Sequence, residues 1–194
     1  MGFDYLRDGF LALVISTPVL FFVALGVLYA ASLSGKYVEL PNGVRYNPSA
    51  TAGLAAVASI GGVVLTYVVW NLWRGYRSVL RDKLPAYGLV FFLIGYAAFF
   101  SFIPAATAGN IELTLATLIT GVALIFLGYV LAFILAAYQL YKQTGESLFL
   151  AATILYALFF IGLVTAYIGH ILMYLGASRA AERRSTPAAP PPPS

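Results

Sequence analysis

The chain contains no cysteine and only one histidine among its 194 residues, and charged residues make up 9% of it. Without cysteine the protein has no disulfide bond, no thiolate-ligated zinc or iron–sulfur cluster, and no covalently attached haem. The sequence also lacks a glycine-rich phosphate loop, a G-x-S-x-G nucleophile motif and an H-E-x-x-H zinc motif. We therefore expect a protein that is not an enzyme, with no catalytic residue, no metal site and no resident cofactor.

Apolar residues dominate the composition instead. They make up 61% of the chain, and the mean hydropathy is +0.90. A soluble domain is nearer to half apolar and a quarter charged. Several uncharged runs exceed the roughly 18 residues that mark a membrane-spanning helix. The composition predicts an all-α integral membrane protein in a lipid bilayer. The net charge of +4 does not indicate nucleic acid, because the basic residues flank apolar spans.

Five membrane-spanning helices can be drawn as one bundle within residues 1–180. The predicted spans cover about residues 9–33, 50–73, 86–106, 111–141 and 148–176. The last two are longer than the ~20 residues that cross the hydrocarbon core, so we expect them to tilt or to project beyond it. Residues 181–194 are rich in proline and alanine and are expected to form a disordered tail.

The basic residues set the expected orientation in the cell membrane. Four of them follow the second span, namely Arg74, Arg77, Arg81 and Lys83. Lys and Arg concentrate in cytoplasmic links, so this link and the N-terminus are expected in the cytoplasm. Five spans then put the C-terminus outside, and six basic residues lie inside against five outside. The dense central cluster decides the orientation, since charges close to short links weigh most.

Residues 36–48 form a polar island between the first two spans, with a pattern typical of a β-hairpin. A central Pro-Asn-Gly sequence suits a three-residue hairpin loop. This register pairs Glu39 with Arg45 and Val38 with Tyr46, an opposite-charge pair and an apolar–aromatic pair. We expect a short extracytoplasmic β-hairpin, which is either a stiff connector or a docking element.

His170 is the candidate for chemistry inside the predicted fifth span. It shares a helical face with Tyr156, Leu163, Tyr167 and Tyr174, and Tyr167 and Tyr174 are the candidate cofactor-binding residues beside it. A single imidazole can ligate a haem iron or a metal, although nothing else in the chain completes a site with the usual spacing. Two interpretations remain: a neutral histidine that is hydrogen-bonded within the bundle, or part of a cofactor site shared with a partner subunit.

Glycines recur every seven residues in the later spans. They are Gly121 and Gly128 in the fourth span and Gly162, Gly169 and Gly176 in the fifth. Small residues let helix backbones approach closely in lipid. The stripes predict helix packing within the bundle or an interface between subunits.

Thr17 and Pro18 lie inside the first span. Pro18 lacks the N–H that would bond the carbonyl of Val14, so we expect a bend at this point. The bend is either a static kink or the gating hinge of a transporter.

Aromatic and basic residues end the second span: Trp70, Trp73, Arg74, Arg77 and Arg81. Tryptophan favours the headgroup region, and each basic residue near an anionic surface contributes about 1 kcal/mol of attraction. The cluster predicts an interface anchor, with a site for a soluble partner or an anionic ligand as the alternative.

Four short sequences carry a family resemblance. They are F-D-Y-L-R-D-G-F at the start, R-G-Y-R-S-V-L after the second span, Y-Q-L-Y-K near residue 140, and the Pro-rich end. With them the chain resembles an archaeal family of multi-pass membrane proteins of unknown function, over roughly its first 180 residues. The resemblance implies an archaeal cell membrane and carries over no functional residue. The single His, two Met and few Asn or Gln are also typical of a thermophile.

The sequence favours a non-enzymatic accessory or structural subunit of a larger membrane complex. Its glycine stripes, its polar island and the lack of paired carboxylates within the apolar spans motivate this interpretation. The expected partners are the lipid bilayer and membrane protein subunits or further copies of the chain, and not nucleic acid. One alternative is a small transporter or channel with Pro18 as its hinge. A second is a haem-binding or quinone-binding subunit built on His170.

Overall fold

The computed structural model describes residues 2–39, 45–159 and 162–185. Two short strands stand among a series of helices. In chain order the elements are α1 (Gly2–Ser34), β1 (Val38–Glu39), β2 (Arg45–Tyr46), α2 (Pro48–Val79), α3 (Leu84–Phe100), α4 (Phe102–Thr107), α5 (Ile111–Tyr129), a π-helical segment (Val130–Leu135), α6 (Ala136–Thr144), α7 (Ser147–Ala157) and α8 (Leu163–Ser185).

Long apolar helices account for most of the fold. Within the described residues, four helical stretches are long and apolar enough to cross a membrane, namely Gly2–Ser34, Pro48–Val79, Leu84–Thr107 and Ile111–Thr144. Each begins or ends within several residues of one of the first four predicted spans. The protein is thus an all-α bundle with membrane-spanning helix lengths, as the composition predicts.

The predicted fifth span, residues 148–176, is not one continuous helix. α7 ends at Ala157 and α8 begins at Leu163. The hydroxyl of Thr165 donates to the carbonyls of Leu158 (3.1 Å) and Gly162 (2.8 Å), so the link satisfies backbone groups that a continuous helix would have bonded internally. An apolar run has the same hydropathy whether it forms one helix or two helices with a link, so the hydropathy pattern does not predict the break.

α7 and α8 pack against each other as an antiparallel helical hairpin. The hydroxyl of Tyr156 lies 2.8 Å from Nδ1 of His170 near the link. At the opposite end Glu146, which precedes α7, contacts Arg183 (2.9 Å) and Arg179 (3.5 Å). The 11 residues of α7 extend only ~16 Å at 1.5 Å per residue, about half of the ~30 Å hydrocarbon core.

α8 lies along the first half of α1. The hydroxyl of Tyr167 donates to the carbonyl oxygen of Val14 (3.2 Å), and the ring centroids of His170 and Phe10 are 6.2 Å apart. α8 therefore runs antiparallel to α1, and its C-terminal end lies near the start of α1.

One end of the bundle, which we call the basic end, gathers the start of α1, the link between α2 and α3, and the ends of α6 and α8. A cavity there is lined by Phe3, Val79, Arg81, Lys142, Gln143 and Thr144. The largest buried side chains, including Phe10, Tyr76, Phe149 and Tyr156, lie between this end and the middle of the bundle. The large buried side chains are thus concentrated where α7 and α8 join the four long helices.

Glycines bring α3 and α5 into backbone contact. A Cβ atom at Gly95 would lie 2.5 Å from the backbone nitrogen of Ile125, and one at Gly121 would lie 2.5 Å from Cα of Phe99. Gly128 faces the backbone of Gly88 in the same way. Such close approach maximises van der Waals contact where lipid supplies no hydrophobic drive.

The glycines predicted in the fifth span divide into two groups. Gly169 lies against the ring of Tyr156 and Gly176 against the ring of Phe149, so both lie at the contact between α7 and α8. Gly162, which we expected in the same stripe, lies in the link before α8, and a Cβ there would meet nothing within 4 Å. It therefore makes no close helix-packing contact with the described residues of the bundle, whereas the stripe presumed one continuous helix.

Strands β1 and β2 pair antiparallel, with Val38 opposite Tyr46 and Glu39 opposite Arg45. The turn predicted between them, residues 40–44, lies outside the described residues. Asn47 follows β2 and joins the two long helices: its side-chain oxygen caps α2 at Ser49 N (3.0 Å), and its amide nitrogen donates to the carbonyl of Ala31 (2.7 Å). The island is therefore fixed to the ends of α1 and α2.

The first residues of the predicted tail, residues 181–194, belong to a helix. α8 continues to Ser185, so residues 181–185 are helical, and residues 186–194 lie outside the described part of the chain. The ion pairs of Arg179 and Arg183 with Glu146, whose side chain is only 6% exposed, stabilise this last part of the helix.

We predict that Gly95→Leu lowers the free energy of unfolding of the purified protein by about 1–3 kcal/mol or more, as overpacking typically does, because its Cβ would meet the backbone of α5. Gly26→Leu is the matched control, because a Cβ at that helical position meets nothing within 4 Å. Thermal unfolding in detergent, followed by tryptophan fluorescence, measures both. Equal melting temperatures for the two variants would contradict the close packing of α3 and α5.

Candidate functional site

The candidate site is a cavity of about 240 Å³ between α1, α2, α3, α5, the π-helical segment and α8. Ser16 and Thr17, which lie near the midpoint of α1, line one wall. Tyr96 and Tyr129 line the others, and His170 completes the boundary. We call this space the central cavity. The central cavity therefore lies beside the middle of a helix that has the length of a membrane span.

His170 enters this site through the helical hairpin. Its Nδ1 is 2.8 Å from the hydroxyl of Tyr156 on α7. Its ring lies 5.2 Å from that of Phe133 and 6.2 Å from that of Phe10, centroid to centroid. The side chain is 9% exposed. With Nδ1 engaged by Tyr156, Nε2 is the imidazole nitrogen left for a molecule in the central cavity.

Aromatic rings form the wall beside His170. Phe133 packs edge-to-face against Phe92 at 5.7 Å, and it contacts Tyr129 at 5.4 Å between centroids. The hydroxyl of Tyr129 donates to the backbone carbonyl of Tyr156 (3.3 Å). This side of the cavity is therefore rigid and apolar, with its polar atoms turned into the protein.

The π-helical segment gives Phe133 its position. It interrupts the fourth long helix at Val130–Leu135, where the hydroxyl of Tyr76 donates to the carbonyl of Ala132 (2.7 Å). A π turn adds a residue to the helical turn and changes the direction of the side chains, and such turns are frequent at functional sites. The sequence contains no proline or glycine in this segment that would have predicted it.

Tyr167 does not face the central cavity with His170. Its hydroxyl donates to the carbonyl of Val14, which is the carbonyl that Pro18 leaves without an intrahelical partner. α1 continues through Pro18 to Ser34. The predicted bend site is thus hydrogen-bonded to α8, and Tyr167 serves that contact.

Tyr174, the third residue of the predicted cofactor group, packs against the core and does not line the central cavity. Of the tyrosines that the sequence places on the face of His170, Tyr156 is the one whose hydroxyl contacts the imidazole. The reason is geometric: neighbours on a continuous helix share a face, whereas the hairpin brings together residues 14 positions apart on different helices.

Two hydroxyl groups at the cavity differ from those of Ser59 and Thr66 on α2. Ser59 and Thr66 of α2 donate to carbonyls four residues earlier, both at 2.8 Å. Ser16 and Thr17 form no hydrogen bond with any described residue. Polar groups in an apolar medium are stabilised by hydrogen bonds. The cavity therefore offers two hydroxyls and one imidazole nitrogen to a polar ligand atom or to water.

The dimensions and donors of the central cavity restrict its chemistry. Its volume is below the 300–1,000 Å³ of sites for drug-sized ligands, so it fits a small head group better than a porphyrin. Within the described residues no group of three or more His, Asp or Glu side chains is arranged to hold a metal. The site is suited to a small, mainly apolar molecule that contacts the aromatic rings and carries a polar atom for hydrogen bonding.

The interfacial residues lie apart from the central cavity. Trp70, Trp73, Arg74 and Arg77 line a groove between the start of α1 and the end of α2. Arg81 does not line that groove and lies instead in the cavity at the basic end. The predicted cluster is thus divided between two surfaces.

Comparison of the chain with protein-family models, with curated proteins and with solved structures finds no significant match. The archaeal family resemblance of the sequence therefore stays a prediction. Any function of the candidate site must therefore be argued from its residues. These are His170 with its partner Tyr156, Ser16 and Thr17 on α1, and the aromatic wall.

Proposed function

We propose that the chain crosses the cell membrane four times, with α7 and α8 as a re-entrant hairpin and both termini in the cytoplasm. Support comes from charge. Nine Lys and Arg residues then lie on the cytoplasmic side and only Lys36 and Arg45 outside, a bias of the kind that orients membrane proteins. This arrangement replaces the five-span orientation, which left six basic residues against five.

A re-entrant α7 is acceptable in a membrane because one face of the helix packs against protein. Non-helical backbone at membrane depth is tolerated where neighbouring elements bury it or where it lines a cavity. Phe149, Ala152 and Tyr156 of α7 are fully buried, and the carbonyl of Leu158 accepts from Thr165. The hairpin therefore brings Tyr156 and His170 to the central cavity.

Within this bundle, the proposed role is that of a non-enzymatic accessory subunit that holds the polar head of a small lipid-soluble molecule. One observation carries the proposal: Ser16, Thr17 and His170 face one cavity whose other walls are aromatic and aliphatic. A quinone head group has this chemistry, a flat ring with two carbonyl acceptors. The aromatic wall suits the ring, and the hydroxyl and imidazole groups suit the carbonyl oxygens.

The second half of α1 supports the part of the proposal that concerns a larger complex. Beyond Pro18 its outward side chains are strongly exposed, with Phe21 at 53%, Phe22 at 69%, Tyr29 at 68% and Leu33 at 71%. The glycines of α3 and α5 are already used in contacts within the chain. A partner subunit is therefore more readily accommodated along α1 than along the glycine stripes.

A small transporter or channel is the second candidate. The re-entrant hairpin reaches the central cavity, and Pro18 adjoins Thr17 in its wall. Broken helices around a mid-membrane site are a feature of transporters. In this case the hydrogen bond from Tyr167 to Val14 would hold α1 in one state and break when the helix bends.

The topology is testable by single-cysteine labelling, since the chain has no native cysteine. We expect a membrane-impermeant maleimide to label Lys36→Cys in intact cells, and to label Arg81→Cys and Ser194→Cys only after permeabilisation. Labelling of Ser194→Cys from outside, alongside Lys36→Cys, would restore five spans and refute the re-entrant hairpin.

The ligand proposal predicts that Thr17→Val and His170→Phe each weaken binding of a short-chain quinone by about threefold to tenfold, the loss of one hydrogen bond of 0.5–1.5 kcal/mol. Binding is followed by quenching of intrinsic fluorescence in detergent. Thr66→Val makes the same hydroxyl-to-methyl change on an exposed face of α2 and should bind like the unmodified chain. Equal affinity of the Thr17→Val and Thr66→Val variants would exclude the cavity as the site.

The accessory role predicts that mild-detergent extraction of the native protein yields a stoichiometric partner subunit or an oligomer. Native mass spectrometry of the purified material identifies either one. A monomer as the sole species under gentle extraction would contradict membership of a complex, and it would leave the binding experiment on the cavity unaffected.

A further inference from the structure

A groove that is separate from the central cavity and from the cavity at the basic end opens where α1 begins and α2 ends. This groove has a volume of about 520 Å³ and shares no lining residue with the central cavity. Its walls are formed by Tyr5, Trp70, Trp73, Arg74, Arg77 and Ser78. It belongs to the part of the chain that the interfacial tryptophans place at headgroup depth.

Aromatic rings position both guanidinium groups of the groove. Cζ of Arg74 lies 4.5 Å from the ring centroid of Trp70 and 5.6 Å from that of Tyr5. Cζ of Arg77 lies 5.7 Å from the ring centroid of Trp73. Cation–π contacts of this length stabilise an arginine without using its N–H donors. The donors of both groups therefore remain available to an acceptor.

The two arginines differ from the paired arginines of the same end. Arg7 contacts Asp8 at 3.1 Å, and Arg183 contacts Glu146 at 2.9 Å. Among the described residues, Arg74 and Arg77 form no ion pair and their side chains form no hydrogen bond. Planar guanidinium groups match phosphate oxygens in bidentate geometry. Two such groups, one helical turn apart, present a phosphate-sized set of donors.

We propose that this groove binds the headgroup of an anionic phospholipid, with its phosphate accepting hydrogen bonds from Arg74 and Arg77. The rings of Tyr5, Trp70 and Trp73 then contact the glycerol and the first methylene groups of the acyl chains. A zwitterionic lipid carries the same phosphate together with its own ammonium group, which competes with the guanidinium groups. The groove therefore selects lipids with a net negative charge. This proposal is independent of the central cavity.

The basic end supplies a matched control for charge. Arg81 and Lys142 line the other cavity at this end and not the groove. The double variant Arg81→Gln/Lys142→Gln removes two positive charges from the same side of the bundle, as Arg74→Gln/Arg77→Gln does. A diffuse electrostatic attraction responds equally to both, whereas a built site responds only to the second.

The experiment incorporates the full chain into nanodiscs that contain equal amounts of phosphatidylglycerol and phosphatidylcholine. After transfer to mild detergent, native mass spectrometry counts the retained lipids. We expect the unmodified chain to retain more phosphatidylglycerol than phosphatidylcholine. The amount of retained phosphatidylglycerol should fall at least fivefold in the Arg74→Gln/Arg77→Gln variant and should change by less than twofold in the control variant. Equal loss in both variants, or equal retention of the two lipids, would overturn the proposal.

Two further measurements test the proposal independently of the glutamine variant. Arg74→Lys/Arg77→Lys keeps the charge but not the planar donors, so we expect intermediate retention even if the glutamine variant fails to fold. Retention equal to that of the unmodified chain would refute bidentate binding. Inorganic phosphate added to the lipid-depleted protein should not raise its melting temperature, whereas phosphatidylglycerol should. An equal rise with phosphate would make the ligand a soluble anion and contradict the proposal.

Discussion

Backbone carbonyls in hydrocarbon have no water to bond, and in this bundle tyrosine hydroxyls from neighbouring helices take that role. The hydroxyls of Tyr76, Tyr96, Tyr129 and Tyr167 donate to the carbonyls of Ala132, Ala58, Tyr156 and Val14, respectively. Every one of these bonds joins two helices. The π-helical segment and the region of Pro18 both depend on such a bond. The constraint that hydrocarbon imposes on polar groups therefore also fixes how the helices pack.

The sequence predicts what hydropathy controls and misses what tertiary contact controls. Four apolar runs predict the four long helices, because burial of the backbone in lipid requires helix over the whole run. Hydropathy does not record where a run reverses direction, so the hairpin of α7 and α8 was read as one span. The register of Glu39 with Arg45 and of Val38 with Tyr46 could be derived, since adjacent strands of a short connection have few possible pairings.

For the same reason, only part of the candidate site could be predicted from the sequence. His170 is conspicuous as the only histidine, and Thr17 is conspicuous beside a proline inside an apolar run. Tyr156 became a neighbour of His170 only through the hairpin, and Phe133 only through the π-helical segment. Both depend on backbone geometry that no local pattern indicates. Arg74 and Arg77 were recognisable by composition, whereas their stacking on Trp70 and Trp73 required coordinates.

The ion pairs of Glu146 with Arg179 and Arg183 bear on how the chain is assembled during synthesis. In the four-span arrangement, α7 and α8 leave the ribosome after the four long helices, and both of their charged ends stay on the side where they were made. The hairpin can then insert as a closed pair beside helices that are already in place, without translocating an arginine. Insertion of the hairpin thus resembles the docking of a preformed wedge more than the passage of another polypeptide segment through the translocon.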